Sequence, residues 1–499
     1  MKTLYYKDKW LDLKSRPADH AQLERLACQL AYSFMDAYLK DCQYQENYIE
    51  LLCEMTTYWE DPQLSGIAAS ALFTIIIESL CDDFEELQTE TYNRVMTQVI
   101  SFCRKLPAGD RLNDYLEDFG LYSDADLLKR IQNIRTTDKK PMTGENVKNI
   151  VLLSRVTIGA DVAITSVIIQ RLTRLFPDAR IVLIGGRKLK AIYGANPRIK
   201  IKTVTYNRNG GLLERLASWQ QVLKIVEDEL TTAPEDQTIL VDPDSRLSQL
   251  GVLPLISTEC YYFFDSRSDA SLNRRMSMAQ LTNSWLDQVT VTTDFCYPRI
   301  WLQSEHIQKA TRWCASLKHC GARKIIAVNF GVGGNARKTL GNDFEFHLLR
   351  TLLKKPGTLI LLDQGSGKDE HRHTTSLMTA IENSGSAVHQ TTFDASQDVR
   401  ISSGLIGLKT QIGEIAAIIS QCDEYIGYDS AGQHIAAAVG TPCLTIFAGS
   451  NNMRFIRRWS AFGPERCQIV HVDTLSDPSA IEVDDIIIRI MNERNDQLK

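Results

Sequence analysis

Between residues 17 and 135 apolar side chains return every three or four positions, as at Leu23, Leu26, Ala27, Leu30 and Ala31, the period of a helix with one buried face. The spacing predicts five or six helices, with the run Ile75-Ile76-Ile77 as the main β-branched interruption. Tyr32, Phe34, Tyr38, Tyr48 and Trp59 fall on these faces and are expected inside. Polar residues take over from 136 to 146, a linker composition. From Asn149 the period changes. Short continuous apolar runs at 149–153, 179–184, 238–241 and 261–264 read as strands buried on both faces, with helices predicted over 162–176 and 212–230. A second set at 324–329, 358–362, 424–427 and 442–447 repeats the pattern. A closing helix over 481–492, bearing Ile486, Ile487, Ile488 and Ile490, is expected to pack back across the sheets. Strands alternating with helices define an α/β fold of doubly wound parallel sheets. The expected divisions are a helical region 1–135, a linker 136–148, sheet domains 149–318 and 319–475, and the closing helix within 476–499.

Composition narrows the class. The 12 cysteines form no Cys-x-x-Cys pair, which argues against zinc and disulfide frameworks and for a reducing cytoplasm. No apolar run approaches the length of a membrane span, and the first residues lack the continuous apolar core of a signal peptide. The net charge of −5 argues against broad phosphate neutralisation, so no nucleic-acid partner is expected. Residues 17–135 hold 21 acids against 9 Lys or Arg, so the rest of the chain carries +7 and is the better place for an anionic ligand.

The richest segment is 427–440, Gly-Tyr-Asp-Ser-Ala-Gly-Gln-His-Ile-Ala-Ala-Ala-Val-Gly. It lies between two predicted parallel strands, so Asp429 to His434 must form the turn from strand to helix, where open α/β sheets bind ligands. Ser430, Ala431 and Gly432 allow close backbone approach, and the first N–H groups of the helix suit a phosphate. An ordinary βα turn with a capping Asp or Ser is the competing reading. Dinucleotide and P-loop patterns are missing: residues 154–159 offer one glycine, and Gly331-Val332-Gly333-Gly334 lacks a third in register.

The segment resembles the signature of glycosyltransferase family 9, the ADP-heptose:lipopolysaccharide heptosyltransferases, in which an Asp-Thr/Ser-Gly-x-x-His turn precedes an Ala-rich helix. Asp429, Ser430 and His434 match, with the glycine one place later at Gly432. Residues 149–182, a strand, then Gly159-Ala160-Asp161, then a helix ending in Phe176-Pro177-Asp178-Ala179, are similar to the family's N-terminus. The resemblance implies a GT-B architecture of two facing sheets, with an all-α region added in front.

It also implies roles. Asp161 is the expected catalytic base, with helix capping as the alternative. The donor site would comprise Asn329, Gly331, Lys338 or its neighbour Arg337, Gly365, Glu370 or its rival Asp369, and the turn Asp429, Ser430, Gly432, Gln433 and His434. Arg246 is an acceptor-side candidate, or else a structural ion pair. His371 and His373 are expected in solvent, and no metal or cofactor is expected. Arg454, Arg457 and Arg458 read as a solvated surface, or as a contact to an anionic lipid or the cytoplasmic membrane face. The implied activity is inverting, metal-independent transfer of a sugar from a nucleotide diphosphate, with ADP-heptose as the model donor, to a glycan, lipid-linked or protein hydroxyl. A non-catalytic nucleotide-sugar-binding scaffold and a nucleotide-sugar epimerase are the alternatives.

Overall fold

A computed structural model describes residues 2–41, 43–81, 84–135, 141–142, 146–208, 210–267, 275–365, 367–477 and 481–495. The N-terminal region folds as helices Lys2–Lys14, His20–Asp41, Glu46–Thr57, Pro62–Ser70, Glu86–Cys103, Asp110–Asp118 and Asp124–Arg135. Local chemistry sets some boundaries: Asp61 accepts from the Gln63 N–H while Pro62 takes the first helical position, where no N–H is needed. The β-branched run lies in a π-helical turn, Ala71–Ile77, with Ile76 and Ile77 buried, so packing overrides its strand propensity. Phe34, Tyr38 and Tyr48 enter the core as expected, whereas Tyr32 points outward at 61% exposure. Of the expected linker, 136–140 and 143–145 lie outside the described residues; Met142 between them is buried, its N–H bonded to the Val289 carbonyl at 2.7 Å.

The first sheet contains β1 (Asn149–Leu153), β2 (Arg180–Gly185), β3 (Ile199–Thr203), β4 (Thr238–Asp242) and β5 (Tyr261–Phe263), all parallel, in the order β3-β2-β1-β4-β5. The second contains β6 (Lys324–Asn329), β7 (Thr358–Asp363), β8 (Val388–Thr392), β9 (Gly404–Lys409), β10 (Glu424–Tyr428), β11 (Cys443–Phe447) and β12 (Cys467–His471). It is also parallel, in the order β12-β11-β10-β6-β7-β9-β8. The order turns back beside β1 in one sheet and beside β6 in the other, and crevices for ligands open at such points. Strands β3, β8, β9 and β12 escaped the sequence reading: β3, β8 and β12 are edge strands, the first two with polar alternation, Ile199-Lys200-Ile201-Lys202-Thr203 and Val388-His389-Gln390-Thr391-Thr392, while β9 lies inside the sheet but its short apolar run is broken by Gly407.

Alternation within the strands distributes three cores. Val151, Leu153, Val182, Ile184 and Leu240 face the helical region and share one continuous core with it, so the helices are a layer on the first sheet. Ile150, Leu152, Ile181, Leu183, Ile239 and Val241 face the other way, into a core that runs on to Ile325, Ala327, Leu359 and Leu361 of the second sheet. The outer face of the second sheet has its own core. The closing helix Val483–Asn495 belongs to that third core through Ile486, Ile487 and Ile490, and Arg494 holds the buried Glu424 carboxylate at 2.6 and 2.8 Å. The expectation that it spans both sheets is corrected: its apolar stripe matches only the outer face of the second.

Candidate functional site

The turn after β10 is tied down from both ends. The Asp429 N–H bonds to the Ile446 carbonyl at 3.2 Å, and Oδ1 accepts from Gln433 Nε2 at 2.7 Å. Oδ2 accepts from the Lys338 ammonium. Gln433 is locked in turn by Thr445 Oγ1 at 3.0 Å and the Ala461 N–H at 3.2 Å. Ser430 is the N-cap of helix Ala431–Val439, yet its side chain bonds to none of the helix N–H groups, which leaves them for an anion. A Cβ at Gly432 would fall 2.0 Å from Tyr425 Oη. The displaced glycine therefore has a cause: the buried phenol lies beneath residue 432.

His434 is 5% exposed; burial, with the Lys338 charge behind it, lowers its pKa to about 4 and keeps it neutral. Lys338 lies 5.3 Å from the Phe455 ring centroid, half-buried, while Arg337 is exposed. Of the two basic candidates the fold brings Lys338 to the turn.

The loops after β6 and β7 close on one another. Asn329 Nδ2 donates to Asp363 Oδ2 at 2.6 Å, and its Oδ1 accepts the Gly331 N–H at 2.8 Å. Asp363 Oδ1 accepts the Gly365 N–H at 3.0 Å. Glu370 lies against both glycines: a Cβ at Gly331 would stand 3.0 Å from Oε1, and one at Gly365 2.3 Å from Oε2. Asp369 faces solvent with Arg372 instead. His373 departs from expectation. Its Nε2 meets Glu345 Oε2 at 2.5 Å, and that fully buried carboxylate also accepts from Tyr428 Oη at 3.0 Å; the Glu345 partner raises the His373 pKa.

On the first sheet, Asp161 opens a π-helical turn, Asp161–Thr165, which accommodates a residue more than a regular α-turn would. Its carboxylate is 1% exposed and accepts from Ser154 Oγ and the Arg155 N–H, both at 2.7 Å, and from Thr165 Oγ1 at 2.8 Å. Burial raises its pKa to about 6 against these bonds. Val156, β-branched, sits at φ 75°, and Asp244 after β4 at φ 62°, so backbone strain flanks the crevice from both strands. Asp244 is buried between Arg155, at 3.1 Å, and Arg267, at 3.1 Å; burial pushes its carboxyl up, but the two guanidinium groups hold it below the usual value. Arg246 is half-buried beside Tyr92 of the helical layer.

The two halves touch. A Cβ at Gly159 would lie 3.0 Å from His434 Cδ2, so the helix starts bearing Asp161 and His434 pack without a gap. The arginine cluster is corrected as well. Arg454 pairs with Glu85 and Arg458 Nη1 bonds to the Ser266 carbonyl at 2.5 Å, leaving Arg457 exposed. Sequence reading missed Ser154, Thr165, Tyr425 and Trp459 at the site; hydroxyls at the strand end and in the first helical turn were the available signal for the first two.

Two parallel sheets whose strand-end loops face one another constitute the GT-B architecture of glycosyltransferases. Residues 371–471, which hold strands β8 to β12 and the Asp429–His434 turn, match the model of glycosyltransferase family 9 (heptosyltransferase). Among solved structures, a glycosyl transferase family 9 protein from Veillonella parvula is similar at 17% identity and a TM-score of 0.48, over 68% of this chain and 90% of that one. The ADP-heptose lps heptosyltransferase II of E. coli gives 13% and 0.45, over 70% of this chain and 100% of that one. The E. coli heptosyltransferase WaaC with ADP-2-deoxy-2-fluoro heptose gives 10% and 0.43, over 70% and 99%. No curated protein matches the sequence. Among the described residues no helix is long and apolar enough to cross a membrane, and no group of three or more His, Cys, Asp and Glu is placed to hold a metal ion.

Proposed function

We propose that the protein transfers a sugar from a nucleotide diphosphate donor to an acceptor hydroxyl with inversion. One observation carries this reading: the turn inside the family 9 match packs directly on the helix start that presents Asp161 from the other sheet. The uncapped N–H groups after Ser430 and the Lys338 ammonium would take the diphosphate, so that protein groups meet the charge of the leaving group. Glu370, held between Gly331 and Gly365 at the ends of β6 and β7, would accept the hydroxyls of the ribose.

Asp161 would take the proton of the acceptor hydroxyl. A pKa of about 6 leaves it ionised near neutrality yet more basic than a solvated aspartate. It is covered in this arrangement, so it acts after an opening of the cleft has admitted substrate. Asn329, through Asp363, would hold the floor of the donor site. ADP-heptose is the donor we favour, with a glycan, lipid-linked or protein acceptor.

The test is a melting-temperature panel with ADP-, UDP-, GDP- and dTDP-sugars on wild type, His434→Ala and Lys338→Ala. Stabilisation by one nucleotide series, weakened in both variants, supports the donor site. No response to any donor defeats the reading, and stabilisation by a donor with no transfer to any acceptor favours the scaffold. Formation of a sugar isomer without an acceptor would favour the epimerase.

A further inference from the structure

Phe84 belongs in sequence to the helical layer but is buried elsewhere. It sits at 3% exposure in the core shared by the two sheets, at φ 56°, next to Glu85, the N-cap of helix Glu86–Cys103. Its ring lies 6.5 Å from that of Trp459, and the Trp459 ring lies 6.2 Å from that of His434. The Arg458 guanidinium also lies over the Phe84 ring, 4.8 Å from its centroid. One residue further along, Glu85 pairs with Arg454, whose Nη1 also reaches the Phe84 carbonyl at 3.3 Å. The helix Met453–Trp459 of the second sheet is therefore gripped twice, by Ser266 of the first sheet through Arg458 and by the helical layer through Arg454.

These grips bear on access. Asp161, Asp429 and His434 are at most 6% exposed, and Gly159 against His434 leaves no opening between the helices that carry them. We infer that the Phe84–Glu85 corner is a latch: by holding helix Met453–Trp459, the helical layer keeps the two sheets shut over the turn, and a nucleotide sugar enters when Arg454 and Glu85 part. Shutting follows from the contacts alone; the identity of what enters rests on the proposed function. A left-handed φ at a phenylalanine is costly, and the surrounding contacts hold it in place.

The experiment is amide hydrogen exchange on the ligand-free full chain, comparing wild type with Glu85→Arg, Arg454→Glu and the charge-swapped double variant. The pair is 38% and 43% exposed, so each single change leaves the cores intact. Exchange in 158–165 and 431–439 is expected to rise about threefold or more in each single variant. It should return toward wild type in the double variant. Phe84→Ala, which removes the ring that meets both Trp459 and Arg458, should raise it further. Unchanged exchange in both single variants, or no recovery in the double, overturns the latch. Stopped-flow binding of a nucleotide sugar should quicken in the same order. Raised exchange with no response to any nucleotide sugar would keep the latch and remove the donor reading.

Discussion

Replacing Asp161 by Asn removes a charge while keeping the shape, and so separates a functional carboxylate from a structural one. The group is 1% exposed, with a pKa of about 6 against 3.8 in solvent. Because the folded value is raised, the folded state binds the proton more tightly than the unfolded chain does. That contribution is fully present below 3.8 and is lost as pH rises through 6. The gap corresponds to on the order of 3 kcal/mol of stability that wild type gives up and the Asn variant keeps. The amide oxygen can still accept from Arg155 and Thr165, and the amide nitrogen can donate to Ser154 Oγ once that hydroxyl turns. Urea unfolding at intervals between about pH 4 and about pH 8 should therefore show Asp161→Asn gaining on wild type as pH rises, then a plateau of roughly 1–3 kcal/mol in its favour. Sugar transfer should be lost in the same variant. A variant less stable than wild type at pH 8 would refute the reasoning and make the carboxylate the hub of a structural network, and one that retained turnover would exclude Asp161 as the base.

Other outcomes follow from the same geometry. Lys338→Ala should weaken nucleotide-sugar binding roughly 10- to 100-fold in titration calorimetry, and unaltered affinity would pass the role to Arg337. His434, with its pKa lowered to about 4, contributes stability above its unfolded value of 6.5 that is lost as pH falls from 6.5 to 4; His434→Gln should flatten that part of the profile. His373 shifts the other way: its contribution is full below 6.5 and lost as pH rises through the higher folded value, so wild type should lose ground to His373→Gln on the alkaline side. Gly432→Ala should cost on the order of 1–3 kcal/mol and reduce donor affinity, because its Cβ must displace the buried Tyr425 phenol; an unchanged melting temperature would show that the phenol yields freely.

Much of the site was legible because it is local. Asp429, Ser430, Gly432, Gln433 and His434 occupy one strand-to-helix turn, and the buried runs at 149–153 and 424–428 announce their strands without help from the rest of the chain. The sequence put Glu370 ahead of Asp369 and Lys338 only narrowly ahead of Arg337, since neighbours in a loop share composition and differ in direction; the fold turns Glu370 toward Gly331 and Gly365 and Lys338 toward Asp429. His373 looked solvated because its partner Glu345 is 28 residues away. Tyr32 was misplaced because helical spacing identifies a face and leaves open what covers its margin.

The sequence by itself determined the α/β alternation, the helical character of 17–135 and the turns that hold polar groups at strand ends, since each depends on periodicity or backbone preference within a few residues. Only the tertiary structure decided that the helices form a layer on the first sheet, that Phe84 leaves that layer to lock a helix of the second, and that Asp161 and His434 lie covered against each other. Those facts depend on side chains as far apart in sequence as Phe84 and Trp459 meeting in one place, and burial, charge pairing and close packing act on distance in space.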